Sequence, residues 1–257
     1  MAWFALLPLG LLACQGEGGN APLPAAPEAA GVASPALPTA PAPAASRRPA
    51  AAPARYLALG DSYTIGEGVP PPERWPVHLA RLLAAEGVAL DPPLIVARTG
   101  WTSDELLRAL EAARLEGPFQ LVTLLVGVND QFRGRPVESF RAPLRELLAR
   151  ARALAGGEAG RVVAVSIPDW GATAFGRAQD RAAIAAGIDA MNALFQAEAE
   201  AAGAAWVDVT GLSRRAGEDP AFLARDGLHP SGAAYAEWAA AALPAARRAL
   251  QGAPSPR

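Results

Sequence analysis

"YLALGDSYTIGEG", residues 56–68, runs from a short apolar segment into a turn holding an aspartate, a serine, a tyrosine, a threonine and three glycines. The apolar part has the length and near-continuous hydrophobicity of a strand covered on both faces, which is the habit of parallel sheets. The turn leaves that strand at its carboxyl end, the edge where open α/β sheets bind ligands. Most Ser- and Gly-rich turns in such a place only redirect the chain or cradle a phosphate. Whether Ser62 does more depends on what the rest of the chain brings to the same edge.

Outward from this stretch, apolar runs alternate with helical patterns. Strands are expected at 93–98 ("PLIVAR"), 120–127 ("QLVTLLVG"), 161–167 ("RVVAVSI") and 204–209 ("AAWVDV"), after the first at 56–60. Helices are expected near 75–86, 103–116, 137–155, 178–202 and 231–250. Thr102 and Glu105 have capping-box spacing at the second of these, and Pro76 stands where a first helical turn tolerates proline. Five strand–helix units predict a doubly wound, three-layer α/β/α domain built on a five-stranded parallel sheet.

Four more loops then share the edge with "GDSYTIGEG": "TGWTSDE", "GVNDQFRG", "IPDWGATAFG" and the long connection through "RDGLHPSG". A serine hydroxyl needs a base to become a nucleophile, and the base needs a third group to fix its tautomer. The chain has two histidines. His78 lies within a helical pattern and reads as a packed or surface helix residue, whereas His229 sits in a polar loop with Asp226 three residues earlier. That spacing lets the carboxylate accept the Nδ1 proton within a turn, although a purely structural His–Asp turn has the same spacing. Gly100 is by default a turn glycine, but its bare backbone also lets an N–H approach a reacting oxygen. Asn129 can cap or turn, or its amide can donate to an oxyanion, as can the Ser62 N–H. Asp61 and Asp130 read as loop-holding carboxylates, and Tyr63, Trp101, Phe132 and Trp170 as pocket-lining or packing aromatics.

Together these blocks resemble the GDSL/SGNH hydrolase family of esterases and lipases. "GDSYTIGEG", "RTGWT", "GVND" and "DGLHPSG" stand in the family's order over most of residues 56–250. The resemblance implies the flavodoxin-like SGNH hydrolase fold and a carboxylic-ester hydrolase with no cofactor and no metal. It assigns Ser62 as nucleophile, His229 as general base and acid, Asp226 as its orienter, and the Ser62 N–H, Gly100 N–H and Asn129 as oxyanion donors. The departure is Tyr63 where the family name has leucine, which bears on pocket shape. The G-x-S-x-G pentapeptide is absent around Ser62, against the α/β-hydrolase elbow. The implied substrate is a small ester, lipid or acetylated glycan, with a thioester as the same-fold alternative. A nucleotide-binding flavodoxin-like protein would leave His229 and Asn129 unexplained, and a silent envelope-binding lipoprotein would need no triad.

Composition sets the remaining bounds. The 257 residues carry a formal charge of −2, which leaves no basic field to draw nucleic acid. All 23 basic residues are arginine, a coding bias that carries no mechanism. Residues 1–14, "MAWFALLPLGLLAC", are too short an apolar stretch to span a bilayer and read as a signal peptide. It ends on the chain's single cysteine, Cys14, and "LLAC" resembles the bacterial lipobox, in which that cysteine is lipidated. Residues 15–54, rich in Ala and Pro without apolar periodicity, are expected to be a disordered tether, with the hydrolase domain at 55–251 and a short tail at 252–257. The expected protein is an exported monomer in the cell envelope, touching membrane only through the N-terminal lipid. Gln15 after the cysteine points to the outer membrane in a Gram-negative organism.

Overall fold

The computed structural model describes residues 52–252. The expectations for residues 1–14, for Cys14, for the tether up to residue 51 and for the tail from residue 253 lie outside the described residues. Strands β1 (Tyr56–Gly60), β2 (Leu94–Ala97), β3 (Leu121–Leu125), β4 (Val162–Val165) and β5 (Ala205–Val207) form one parallel sheet in the order β2-β1-β3-β4-β5. Every residue of β1, β3 and β4 is buried, and the two edge strands are partly exposed. Apolar side chains on both faces of the central strands are what a sheet sandwiched between helices requires.

The longer helices stand close to the expected spans: α2 (Trp75–Ala85), α3 (Ser103–Ala113), α5 (Val137–Leu154), α6 (Arg181–Ala201) and α8 (Gly232–Gln251). Pro76 lies in the first turn of α2, and the Thr102 N–H donates to Glu105 Oε2 at 2.8 Å ahead of α3. Helix α2 packs on α8, while α3, α5 and α6 pack as a second group, so the sheet lies between two helical layers. Three short helices were not apparent in the sequence: α1 (Ser62–Ile65), α4 (Val128–Phe132) and α7 (Thr210–Arg214). Among the described residues no helix is long and apolar enough to cross a membrane.

From β1 the chain steps out to β2, returns past β1 to β3, and continues to β4 and β5. The direction of winding therefore reverses between β1 and β3, and a crevice opens beyond the strand ends at such a reversal. Helix α1 leaves β1 there and α4 follows β3. The approach is tight: a Cβ at Gly60 would lie 2.2 Å from Thr64 Oγ1 and 2.4 Å from the Leu125 carbonyl oxygen. Only glycine lets β1 turn into α1 against its neighbour.

Candidate active site

Asp61 caps α1, its Oδ1 accepting the Tyr63 N–H at 3.0 Å, and this sets Ser62 as the first residue of the turn. A first-turn N–H has no acceptor within its own helix and stays available to a ligand. On the far side, residues 223–230 form a small antiparallel loop. Leu223 bridges Pro230, and the Ala224 N–H donates to the His229 carbonyl at 2.8 Å. Asp226 sits at its tip as an Asx turn: Oδ1 accepts the N–H groups of Leu228 and His229 at 2.9 and 3.0 Å. Its other oxygen, Oδ2, lies 2.7 Å from His229 Nδ1. The second ring nitrogen, Nε2, lies 2.9 Å from Ser62 Oγ.

An unbroken chain of hydrogen bonds thus joins a carboxylate, an imidazole and a hydroxyl, an array able to take a proton from the hydroxyl. Ser62 and His229 are 4% and 6% exposed, enough for a small reactant to reach them and little enough to keep bulk water away. Tyr63 supports the imidazole, with ring centroids 5.0 Å apart, and itself stacks on Trp238. Burial raises the Asp226 carboxyl, but bonds from the His229 ring and from the Leu228 and His229 N–H groups outweigh it and hold the group below the ordinary carboxylate range.

Asn129 projects from α4 into the same cleft, its Nδ2 donating one proton to the Trp101 carbonyl at 2.9 Å. An amide nitrogen carries two protons, and the second has no partner among the described residues. Gly100, tied to α4 by its carbonyl, has φ +83°, and a Cβ there would meet nothing within 4 Å. Its glycine is required by a left-handed backbone, with no crowding from protein atoms to demand it. Asp130 accepts from the Ser103 N–H and Oγ, both at 2.9 Å, and from Arg135, joining α4 to α3 as a loop-holding carboxylate.

The cleft over Ser62 is open to solvent, with about 370 Å³ of empty space in and above it. Beyond Ser62, Asn129 and His229, its walls are Tyr63, Val128, Phe132, Trp170, Phe175 and Leu228. Phe132, Trp170 and Phe175 form a ring cluster with centroids 5.1 to 6.2 Å apart, and the two phenylalanines are about half exposed at the mouth. Trp170 is fixed by its Nε1–H donating to Gln131 Oε1 at 2.6 Å. Trp101 is not in the wall; it packs against the core and offers its carbonyl to Asn129. His78 lies partly buried on α2, away from the cleft. Val128 and Leu228 stand inside the GVND and DGLHPSG blocks beside Asn129 and His229, but nothing in the sequence singles out their side chains, and Phe175 has no block around it. The one signal for Phe175 is its place in the segment "IPDWGATAFG" leaving the carboxyl edge.

Asp61 is fully buried, one carboxylate oxygen has no partner among the described residues, and burial pushes its pKa up to about 8. An unfolded aspartate titrates near ~3.9. Between these values the native state holds one proton more than the unfolded state, so this group's contribution to stability falls as pH rises through that window. Asp61→Asn keeps an acceptor for the Tyr63 N–H and does not titrate. The unfolding midpoint of the variant relative to wild type is expected to climb from pH 5 to about pH 8 and to level off above it. A difference independent of pH would show that Asp61 is not protonated in the native protein.

These positions fall in one matched region: the family profile described as GDSL-like lipase/acylhydrolase covers residues 58–237. The chain belongs to this family. As a GDSL-type hydrolase it shares its fold with several solved structures. Against TesA it is 23% identical with a TM-score of 0.61, over 76% of this chain and 99% of that one. Against the psychrotrophic esterase EstA from Pseudoalteromonas sp. the figures are 20%, 0.59, 77% and 99%. An acetyl xylan esterase from Geobacillus stearothermophilus gives 20%, 0.61, 77% and 96%. By sequence, no curated protein matches this hydrolase.

Proposed function

We propose that this GDSL hydrolase cleaves carboxylic esters by a serine mechanism in which Ser62, His229 and Asp226 act as triad. The observation that supports it most is the continuous Ser62–His229–Asp226 bonding at the floor of the cleft. Ser62 Oγ forms a bond to the ester carbonyl carbon as its proton passes to His229 Nε2. The carbon–oxygen bond to the alcohol then breaks, and Nε2 returns the proton to the departing alkoxide. Water, deprotonated by the same nitrogen, attacks the acyl-serine and releases the acid and the free hydroxyl. The Ser62 N–H, the Gly100 N–H and the second Asn129 Nδ2 proton serve the oxyanion.

Asn129→Ala is expected to lower kcat about 10²- to 10³-fold with a far smaller change in KM, since the amide meets charge that develops only in the transition state. A raised KM at unchanged kcat would make Asn129 a substrate-binding residue instead.

The cleft favours an apolar acyl or aryl ester. Outside the catalytic set its walls offer rings and aliphatic groups, and no hydroxyl, amide or charged side chain apart from the Tyr63 phenol is placed to read sugar hydroxyls. An acetylated glycan, the substrate class in the name of one structural relative, and a thioester are the alternatives. Labelling by a fluorophosphonate probe, located at Ser62 by peptide mass spectrometry, tests the mechanism and separates it from a silent binding protein. Hydrolysis of p-nitrophenyl esters from acetate to palmitate, against acetylated xylan, ranks the substrates.

We further propose that Cys14 is acylated and anchors the enzyme in the cell envelope, because the lipobox-like "LLAC" ends on the chain's one cysteine. Stable anchoring takes more than one acyl chain. Wild type is expected to partition into detergent and Cys14→Ala to be poorly processed and unmodified; a mature N-terminus elsewhere than Cys14 rejects the anchor and leaves the hydrolase reading as it was.

A further inference from the structure

An oxyanion donor works because it is held in place before the charge appears. Gly100 is the third residue of a turn closed by the Trp101 N–H, which donates to the Arg98 carbonyl at 3.2 Å. Its left-handed φ of +83° comes with no packing around the position a side chain would occupy, and glycine has the widest backbone freedom of any residue. Further restraint on this turn comes from outside it.

Helix α4 and the residue that ends it supply that restraint. Arg133 Nη2 donates to the Gly100 carbonyl at 2.7 Å, and Asn129 Nδ2 donates to the Trp101 carbonyl at 2.9 Å. Residues four apart share a helix face. The carbonyls of two consecutive residues in the turn are therefore gripped from one face of one short element. The Arg133 N–H in turn donates to the Asn129 carbonyl at 3.1 Å, which ties the two grips together.

The guanidinium is itself aimed. Its Nη1 and Nη2 lie 3.4 and 3.2 Å from the two oxygens of Glu105. Glu105 Oε2 also accepts the Thr102 N–H at 2.8 Å. A closed circuit runs from Gly100 through Arg133 and Glu105 back to Thr102, with the oxyanion turn inside it. A planar group with several donors can meet a carbonyl and a carboxylate at once, which a single ammonium does with poorer geometry. The Arg133 side chain is 43% exposed, and ion pairs at such exposure add little to stability.

We propose that Arg133 is a positioning residue for the reaction: by holding the Gly100–Trp101 peptide through its carbonyl it limits how far the Gly100 α-carbon, and with it the adjoining Thr99–Gly100 peptide that carries the N–H, can turn before the oxyanion forms; this rests on the serine-hydrolase reading above. Arg133 is not in the cleft wall, so it acts through Gly100 and leaves substrate binding alone.

The test uses the full chain, with active sites counted by fluorophosphonate titration of Ser62. Arg133→Ala is expected to lower kcat per labelled site about 10- to 100-fold on p-nitrophenyl acetate, the scale of loss from an ångström-sized misplacement, with KM within about twofold. Arg133→Lys is expected to fall between the two at the same KM, and it carries the same reading should the alanine variant fold poorly. A purely structural role would lower the number of labelled sites or the unfolding midpoint without moving kcat per site. An unchanged kcat per site in both variants overturns the proposal, as does an effect carried by KM alone. Failure of the underlying reading looks different: wild type itself would not be labelled at Ser62.

Discussion

Ser62→Ala and His229→Ala are each expected to abolish ester hydrolysis, with losses in kcat on the order of 10⁶, and the double variant is expected to be no worse than either single one. The reason lies in how the two groups divide one task. Without the hydroxyl there is no atom to carry the acyl group; without the imidazole the hydroxyl keeps its proton and remains a poor nucleophile. Either removal ends the covalent route, so the second adds nothing. What remains is the oxyanion site and substrate positioning, which keep a residual rate of ~10³–10⁴ over water in comparable enzymes. The fold should survive. Ser62 contributes one small side chain at the start of α1, while its cap is made by Asp61. His229 leaves a space lined by Tyr63 and Leu228, but the Asx turn at Asp226 is built on backbone N–H groups that alanine retains. Burst and steady-state kinetics on purified variants, with circular dichroism to verify folding, provide the measurement. Near-full turnover by either variant would end the serine mechanism.

Much of the architecture was legible because its signals are local. A buried parallel strand is a short unbroken apolar run, and β1, β3 and β4 are buried at every residue, so the signal and the environment coincide. The Asp226–His229 pairing was legible for the same reason: a three-residue turn is short enough for spacing alone to suggest contact. Helices α1, α4 and α7 left no such trace, since four or five residues are too few to show a period. They matter most, because α1 presents Ser62 and α4 presents Asn129. Gly100 was marked as a turn glycine, but whether crowding or dihedral angle demanded it took coordinates to decide. Arg133 was the least visible. Its partner is a backbone carbonyl 33 positions away, and a carbonyl leaves no mark on a sequence. Phe175 belongs to the same class, since only the loop after β4, folded against α4, sets it beside Phe132.

Asp226→Asn is expected to cost about 10⁴-fold in kcat, with KM little changed, by inverting the tautomer of His229. In the wild type Oδ1 accepts two backbone N–H groups while Oδ2 faces Nδ1. An asparagine side chain has one oxygen for these two stations. If the oxygen stays with the two N–H donors, the amide nitrogen faces Nδ1 and donates to it. If the amide turns over, its NH₂ opposes two backbone donors, and two hydrogen bonds are lost in place of none. The first arrangement therefore prevails. Nδ1 then becomes an acceptor, the ring proton moves to Nε2, and Nε2 points a hydrogen at Ser62 Oγ where a lone pair is needed. The base is in place but already protonated at the nitrogen that must act. Asp226→Ala imposes no tautomer and removes the Asx turn as well, so it is expected to show a smaller loss in kcat per folded molecule together with a lower unfolding midpoint. In the wild type the same carboxyl is held below its ordinary range, so the charged form persists to a lower pH than in the unfolded chain. Any stability it contributes is present above the ordinary aspartate range and is lost as pH falls through the depressed value. Nitrogen-15 spectra of the His229 ring report the tautomer directly: a protonated Nδ1 in Asp226→Asn, or near-wild-type turnover by that variant, would remove Asp226 from the mechanism.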